Sequence, residues 1–261
     1  MPSSERTYVD LLFRSSRKYA SWDPEIVTKV GDYGRITRGR RRFVFWRKRG
    51  TFLKEGNIFT DGTANKYQIP PPTEYGGASE GETWVVSING KQVDLEASLG
   101  RVSPAIAQCK IKGAFEFSSG RGAVLVMNND TISAIDPPGR LRSLLKDQNM
   151  RGLVVVSEVH SCSSYARFLS AGSGNTIALG LSVEDPTTGI SGQANARWVR
   201  STVSGNFRSK VDREGARRFC PLFRLVSVTE KATSTGLRGE EFSDGVPLPL
   251  PDAEPPWLKE A

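Results

Sequence analysis

Residues 92–118 read QVDLEASLGRVSPAIAQCKIKGAFEFS, and the alternation in them sets the reading of the whole chain. Val93, Leu95, Ala97 and Leu99 fall on one side of an extended backbone, against Gln92, Asp94, Glu96 and Ser98 on the other. After Gly100-Arg101 and Pro104 the pattern resumes. Ala105, Ala107, Cys109, Ile111, Gly113, Phe115 and Phe117 share a face, opposed by Gln108, Lys110, Lys112, Glu116 and Ser118, with only Ile106 and Ala114 out of phase. Strands in soluble sheets run about five or six residues. An alternating run of about thirteen exceeds even the roughly nine to eleven that a tilted strand needs to cross a bilayer.

The same period returns past Gly172-Ser173-Gly174. Ile177, Leu179, Leu181 and Val183 form one face of a run; Ile190, Gly192, Ala194, Ala196 and Trp198 form one face of the next, against Ser191, Gln193, Asn195 and Arg197. Between the two regions, AVLVM at 123–127 predicts a buried strand. RLRSLLKDQNM, opened by Pro137-Pro138-Gly139, predicts a helical piece with Leu141, Leu144 and Leu145 on its apolar side. LVVVSEVHSCSSYARFL from Leu153 starts apolar and turns mixed, and FCPLFRLVSV at 219–228 predicts a last core strand in which Pro221 marks an edge or a bulge. Asn57 to Gly81 is punctuated by Asp61-Gly62, Pro70-Pro71-Pro72 and Gly76-Gly77 and is expected to be a loop-rich connection.

Upstream lies the densest charge. Arg35 to Lys54, RITRGRRRFVFWRKRGTFLK, holds nine Arg or Lys and no acid, against a net charge of +8 for the whole chain. Two basic blocks flank Phe43-Val44-Phe45-Trp46, and Phe52-Leu53 follow. A solvated face would mix in acids, and a disordered arm has little use for large apolar groups. A nucleic-acid surface, an anionic membrane surface and a merely basic strand hairpin turning near Arg49-Gly50 all fit the residue types. Before it, SERTYVDLLFRSSRKYA spaces Tyr8, Leu11, Leu12 and Ser15 as one side of a helix, with Arg6, Arg14, Arg17 and Lys18 around the rest.

The totals fit a folded chain of 261 residues, 38% hydrophobic, with a pI near 9.5 that favours anionic partners. The N-terminus lacks a basic-then-apolar signal, and no eighteen-residue apolar run occurs, so synthesis in the cytosol is expected. Cys109, Cys162 and Cys220 are odd in number and widely spaced, which predicts buried thiols and neither a disulfide framework nor a metal site. An enzyme is not expected: His160 is the single histidine, and no phosphate loop, dinucleotide fingerprint or metal spacing accompanies it. No cofactor is expected either. From about Lys231 the chain becomes rich in Ser, Thr, Gly, acids and then Pro, which predicts one folded domain over 1–230 and an extended tail over 231–261, with Trp257-Leu258 as a candidate docking dipeptide.

Taken together, LLFRSSRKYA, the basic hairpin FVFWRKRGTFLKEGNIFTDG and the two alternating regions resemble the pore-forming N-terminal domain of the gasdermins. The resemblance covers about residues 5–230. It implies an α+β fold, a twisted antiparallel sheet with flanking helices, in which segments from about Trp84 to Phe117 and from Leu153 to about Val203 are extensions able to become transmembrane β-hairpins. Acidic phospholipids (cardiolipin, phosphatidylserine, phosphoinositides) would then meet Arg14, Arg17 and Lys18 of the helix and Arg40, Arg41, Arg42, Arg47, Lys48, Arg49, Phe52 and Leu53 of the hairpin. The membrane-inserting face would carry Val93, Leu95, Ala97, Ala107, Ile111, Phe115, Ile177, Leu179, Leu181, Ala194 and Ala196. Gln92, Asp94, Glu96, Lys110, Lys112, Asn195 and Arg197 would face the lumen or solvent, since a bilayer-facing charge near the midplane costs roughly 2–4 kcal/mol.

Because strands insert only as members of a closed barrel, many copies are implied. The short length after the last core strand is similar to the fungal regulator-of-cell-death gasdermin-like proteins that lack a C-terminal repressor domain. That implies a cytoplasmic inactive form, a plasma-membrane pore as a homo-oligomer or with a divergent variant, and cell death in allorecognition (heterokaryon incompatibility). Repressor-free gasdermins of early-branching animals, with disulfide-linked dimers, are the other architecture it resembles. Nucleic acid is not an expected partner under this resemblance, although the hairpin's residue types alone allow it.

Overall fold

In chain order the elements are helix α1 (Ser4–Ser16), β1 (Tyr19–Ala20), β2 (Asp32–Ile36), β3 (Phe52–Asn57), helix α2 (Thr63–Lys66), β4 (Thr73–Gly76), β5 (Glu82–Val86), β6 (Gly90–Val93), helix α3 (Pro104–Ala107), β7 (Ile111–Phe117), β8 (Ala123–Asn128), β9 (Thr131–Ala134), a 3-10 helix (Pro138–Lys146), β10 (Val154–Cys162), β11 (Ser164–Leu169), β12 (Thr176–Ser182), β13 (Arg197–Arg200), β14 (Asn206–Val211) and β15 (Phe219–Ser227). The computed structural model describes residues 3–37, 51–76, 81–95, 104–109, 111–172, 176–182, 196–229 and 247–258.

The alternating regions build two four-stranded antiparallel sheets, ordered β14-β11-β8-β5 and β13-β12-β7-β6. The order is the same because β5 runs on into β6, β7 into β8, β11 into β12 and β13 into β14. The sheets are thus two halves of one ribbon, folded across a crease that among the described residues takes in 87–89, 118–122, 170–172 and 201–205. Along the inner pair the register survives the fold: Leu169 stands opposite Ala123 before the crease and Thr176 opposite Glu116 after it, with six residues between on each strand. The outer strands do not keep step. Three residues separate Val86 from Gly90, whereas six separate their partners Val124 and Phe117.

Side chains hold the crease shut. The amide of Ala123 donates to Ser87 Oγ (3.0 Å) and that of Gly122 to Ser170 Oγ (2.7 Å). A Cβ on Gly122 would lie 1.8 Å from the Phe117 ring, so only glycine admits this approach. The two halves face each other through Phe115, Phe117, Ile177, Leu179, Leu181 and Trp198 on one side and Val124, Val126, Ala166 and Phe168 on the other. Phe117 stacks on Phe168 with centroids 6.5 Å apart.

Each outer face of this sandwich is covered by a helix. Ala123, Leu125, Met127, Tyr165 and Leu169 pack under Tyr8 and Leu12 of α1. Ala114 and Ala178 pack under Ile106 of α3, with Val93, Leu95 and Val199 around them. The first helix forms because Ser3, extended, accepts the Arg6 amide as an N-cap and Glu5 sits in the first turn. Arg17 ends it in the left-handed region (φ 59°), its amide donating to Phe13 O. The buried stripe is Tyr8, Val9, Leu12 and Phe13, and Ser15 lies outside it.

Val9 and Phe13 point the other way, into the core of a third sheet ordered β1-β15-β10-β2-β3, with β9 also on β10 and β4 on β9. The two nine-residue strands β10 and β15 are its spine. Their register shifts between His160 and Cys162, opposite the segment that holds Pro221, as the proline predicts.

Several expectations change. The predicted thirteen-residue strand is a helix at Pro104–Ala107 followed by seven strand residues, Ile111–Phe117. Val93 stands opposite Ala114, and Gln92 opposite Phe115, so Val93 and Leu95 share the α3-covered face and not the face of Ile111, Phe115 and Leu179. The folded ribbon begins its second half at Ser164, since β10 belongs to the third sheet, and its first half extends to Asn128. Finally, residues 247–258 are no free tail: Ala253 donates to Leu225 O and Ser227 to Pro251 O, and Leu250, Ala253 and Trp257 are buried. The loop-rich stretch 57–81 also carries α2 and the exposed edge strand β4.

Candidate functional site

The basic stretch is rooted in a hairpin. Ile36 pairs with Phe52 and Arg35 with Leu53, and the Thr37 amide donates to Thr51 O at 2.8 Å, so β2 and β3 launch residues 38–50 from adjacent positions. The root is fixed by buried Asp32, which accepts from Lys54 Nζ (2.7 Å), Asn57 Nδ2 (2.7 Å) and the Lys29 amide (2.9 Å). Gly34 meets the Leu53 carbonyl where a Cβ would sit, 1.9 Å away. Phe52 packs on Phe223, centroids 6.2 Å apart, and with Glu5, Trp22, Ile26 and Phe223 it lines a cavity between the start of α1 and the hairpin root. Phe52 and Leu53 are half-buried strand residues here. Arg40, Arg41, Arg42, Arg47, Lys48 and Arg49 lie outside the described residues.

The cations of α1 are not equivalent. Arg14 is exposed; Arg17 lies over the Phe13 ring and 3.7 Å from Glu254. Lys18, expected to meet lipid, turns inward instead. Its Nζ bonds Glu158 Oε1 and lies 2.9 Å from His160 Nε2, while His160 Nδ1 is 3.1 Å from Asp130 Oδ2. Burial alone would raise the Glu158 carboxyl, but His160 and Lys18 hold it down at about 2. Burial would likewise lower His160, and bonds to Asp130 and Glu158 instead keep it above its ordinary value.

The ribbon brings several predicted inserting residues together. Phe115 stands directly opposite Ile177 and Ile111 opposite Leu181, with Leu179 between them on the same face, all turned into the sandwich. Ala196 packs against that interior, and Ala107 is half-buried at the end of α3. Lys112 and Glu116 fall on the opposite face, paired with Gly180 and Thr176, and both are exposed. Ala97 and Ala194 lie outside the described residues.

Sequence reading missed Arg167. It is 3% exposed, its guanidinium carbon 3.6 Å above the Trp22 ring, with Nη1 donating to Asn206 (2.9 Å) and Nε without a hydrogen-bond partner among the described residues. On the same face, Arg208 and Lys210 are neutralised by Asp23 and Glu25. An arginine within SYARFL reads as an outward residue, and nothing in the sequence says that α1 and Trp22 lie over it. The three cysteines are free and buried. Among the described residues no group of three metal-ligating side chains occurs, and no helix is long and apolar enough to cross a membrane.

No protein-family model matches the sequence, and no curated protein does. Among solved structures the chain is similar to the cryo-EM structure of the gasdermin A3 membrane pore, at 13% identity over 87% of this chain and 89% of that one, with a TM-score of 0.25.

Proposed function

We propose that the chain is a gasdermin-type pore-forming protein that binds acidic phospholipids through residues 38–50, oligomerises and permeabilises membranes. The observation that supports this reading best is the folded ribbon. Its inner strands keep one register through the crease, so β6, β7, β12 and β13, with the segments that join them, can straighten without any inner pair changing partner. Straightening exposes an apolar face (Ile111, Phe115, Ile177, Leu179, Leu181) opposite one bearing Lys112 and Glu116, which suits a strand with lipid on one side and water on the other. The crease residues Ser118-Ser119-Gly120-Arg121-Gly122 are polar and suit the bilayer boundary. One chain supplies four such strands, too few to enclose a wide channel, so copies close a ring. The restricted form is cytoplasmic and the assembled one sits in the plasma membrane, with a divergent variant of the same protein as the trigger in an allorecognition setting.

Liposomes containing cardiolipin, phosphatidylserine or phosphoinositides should leak a trapped dye when the protein is added, alone or with a variant. Changing Arg41, Arg42, Arg47, Lys48 and Arg49 to Glu should abolish the leak. Environment-sensitive labels at Ile111 and Leu179 should report hydrocarbon in leaking vesicles, and their staying in water while dye escapes overturns the insertion reading. Steep salt-dependent binding to RNA or DNA without lipid binding would instead favour a nucleic-acid module.

A further inference from the structure

Residues 24–28, PEIVT, form a loop of inverted polarity: its acid is tied to the body of the protein, and its aliphatic side chains stand in water. Glu25 accepts from Arg208 (2.6 Å), Lys210 (2.7 Å) and the Tyr165 hydroxyl (3.2 Å), and the neighbouring Asp23 also bonds Arg208. The backbone is pinned as well. Pro24 O accepts the Cys220 amide at 2.8 Å, and Asp23 O accepts the Ile26 amide at 3.0 Å. Ile26 and Val27 are left 48% and 57% exposed, side by side on a loop fixed in place. A single exposed aliphatic is ordinary on any surface, whereas an adjacent pair held outward by its own flanks is a contact surface.

The position of the pair points to its partner. Ile26 lines the open cleft of about 450 Å³ that Thr51 and Phe52 also line, so the loop stands at the root of the hairpin whose stretch carries nine cations. We infer that Ile26 and Val27 are an apolar wedge that enters the interfacial layer of an anionic leaflet when the basic stretch has drawn the chain to it. This inference rests on the lipid-binding part of the pore reading. The apolar surface runs on from the pair into the cleft through Trp22, Phe52 and Phe223. The nearby acids do not oppose the approach: Asp23 and Glu25 are neutralised by Arg208 and Lys210, and burial, followed by Asp23, raises the affinity of Glu5 for its proton. The basic stretch then supplies an attraction that salt screens, and the pair supplies a contribution that salt does not. A nucleic acid would offer such a wedge no hydrocarbon.

Co-sedimentation of the full chain with phosphatidylcholine vesicles carrying phosphatidylserine, repeated across salt, separates the two forces. Ile26→Ser combined with Val27→Ser leaves every charge in place, so the plot of log affinity against log salt should keep its slope and drop by about tenfold. Val27→Trp should shift the same line upward. An environment-sensitive label on Val27→Cys, selective because the native cysteines are buried, should report hydrocarbon on bound protein. Unchanged affinity in the serine variant, or a label that stays in water on bound protein, overturns the wedge and leaves the pore reading standing where vesicles leak. A wild type that binds through the wedge without causing leakage sinks the pore reading alone, and one that binds no vesicle overturns both. If the serine variant does not fold, Val27→Trp and the label decide.

Discussion

Gly34 shows how a single position controls the segment that carries most of the charge. A methyl group there would be forced against the Leu53 carbonyl, in backbone that cannot swing away as a side chain can. Gly34→Ala should therefore cost about 1–3 kcal/mol, read as a lower urea midpoint, by prying open the root of the hairpin. Arg167 gives the opposite expectation. Its guanidinium is buried with no carboxylate in contact among the described residues, so Arg167→Met, which keeps the length and the packing on Trp22, should leave stability unchanged or raise it by about 1 kcal/mol. Neither effect was legible in the sequence. A glycine in a basic strand and an arginine in an apolar one take their meaning from what lies across from them, and contacts at such sequence distance leave no local pattern. The bulge at Pro221 was legible, because it follows from the residue's own backbone chemistry.

Among the elements, α1 and the C-terminal segment form one unit. Trp257 is buried, donates its indole N–H to Asp10 and receives the Arg6 guanidinium over its ring at 4.9 Å, while Tyr19 donates to Ala253 O at 2.7 Å. Trp257→Ala should lower stability by about 3–5 kcal/mol and speed amide hydrogen exchange in α1 more than in β10. The prolines around Trp257 pointed to a linker. They are compatible with docking because an extended segment with few N–H groups needs few partners, and two backbone bonds to β15 suffice. The predicted long strand fails for a related reason. Alternating small residues at Ala105 and Ala107 do not distinguish a strand from one turn of helix, and proline at the first helical position favours the helix. The informative residues were the two that broke the alternation: Ile106 and Ala114 are fully buried, because this half of the ribbon has a second covered face.

For the molecule as a whole, a net charge of +8 with nine cations in one stretch predicts that attachment to vesicles containing acidic lipid weakens sharply as salt rises from about 0.05 to 0.3 M. Co-sedimentation across that range checks it, and binding indifferent to salt would point to apolar contact as the main force. On the acid side, Glu158 and Asp130 have folded-state affinities for protons below their ordinary ones, so their contribution is present above about pH 4.5 and is lost as pH falls towards 2. Thermal unfolding between those limits should show a steep decline that Glu158→Gln flattens. The equal six-residue spans on the inner strands carry a consequence of their own. A hinge that leaves the central rungs intact parts two costs that refolding usually mixes, rupture of the backbone ladder and separation of stacked rings. The rate of opening should then quicken when the stacking is thinned, as in Phe168→Ala, and stay nearly unmoved by substitutions that only trim an outward side chain along the ladder.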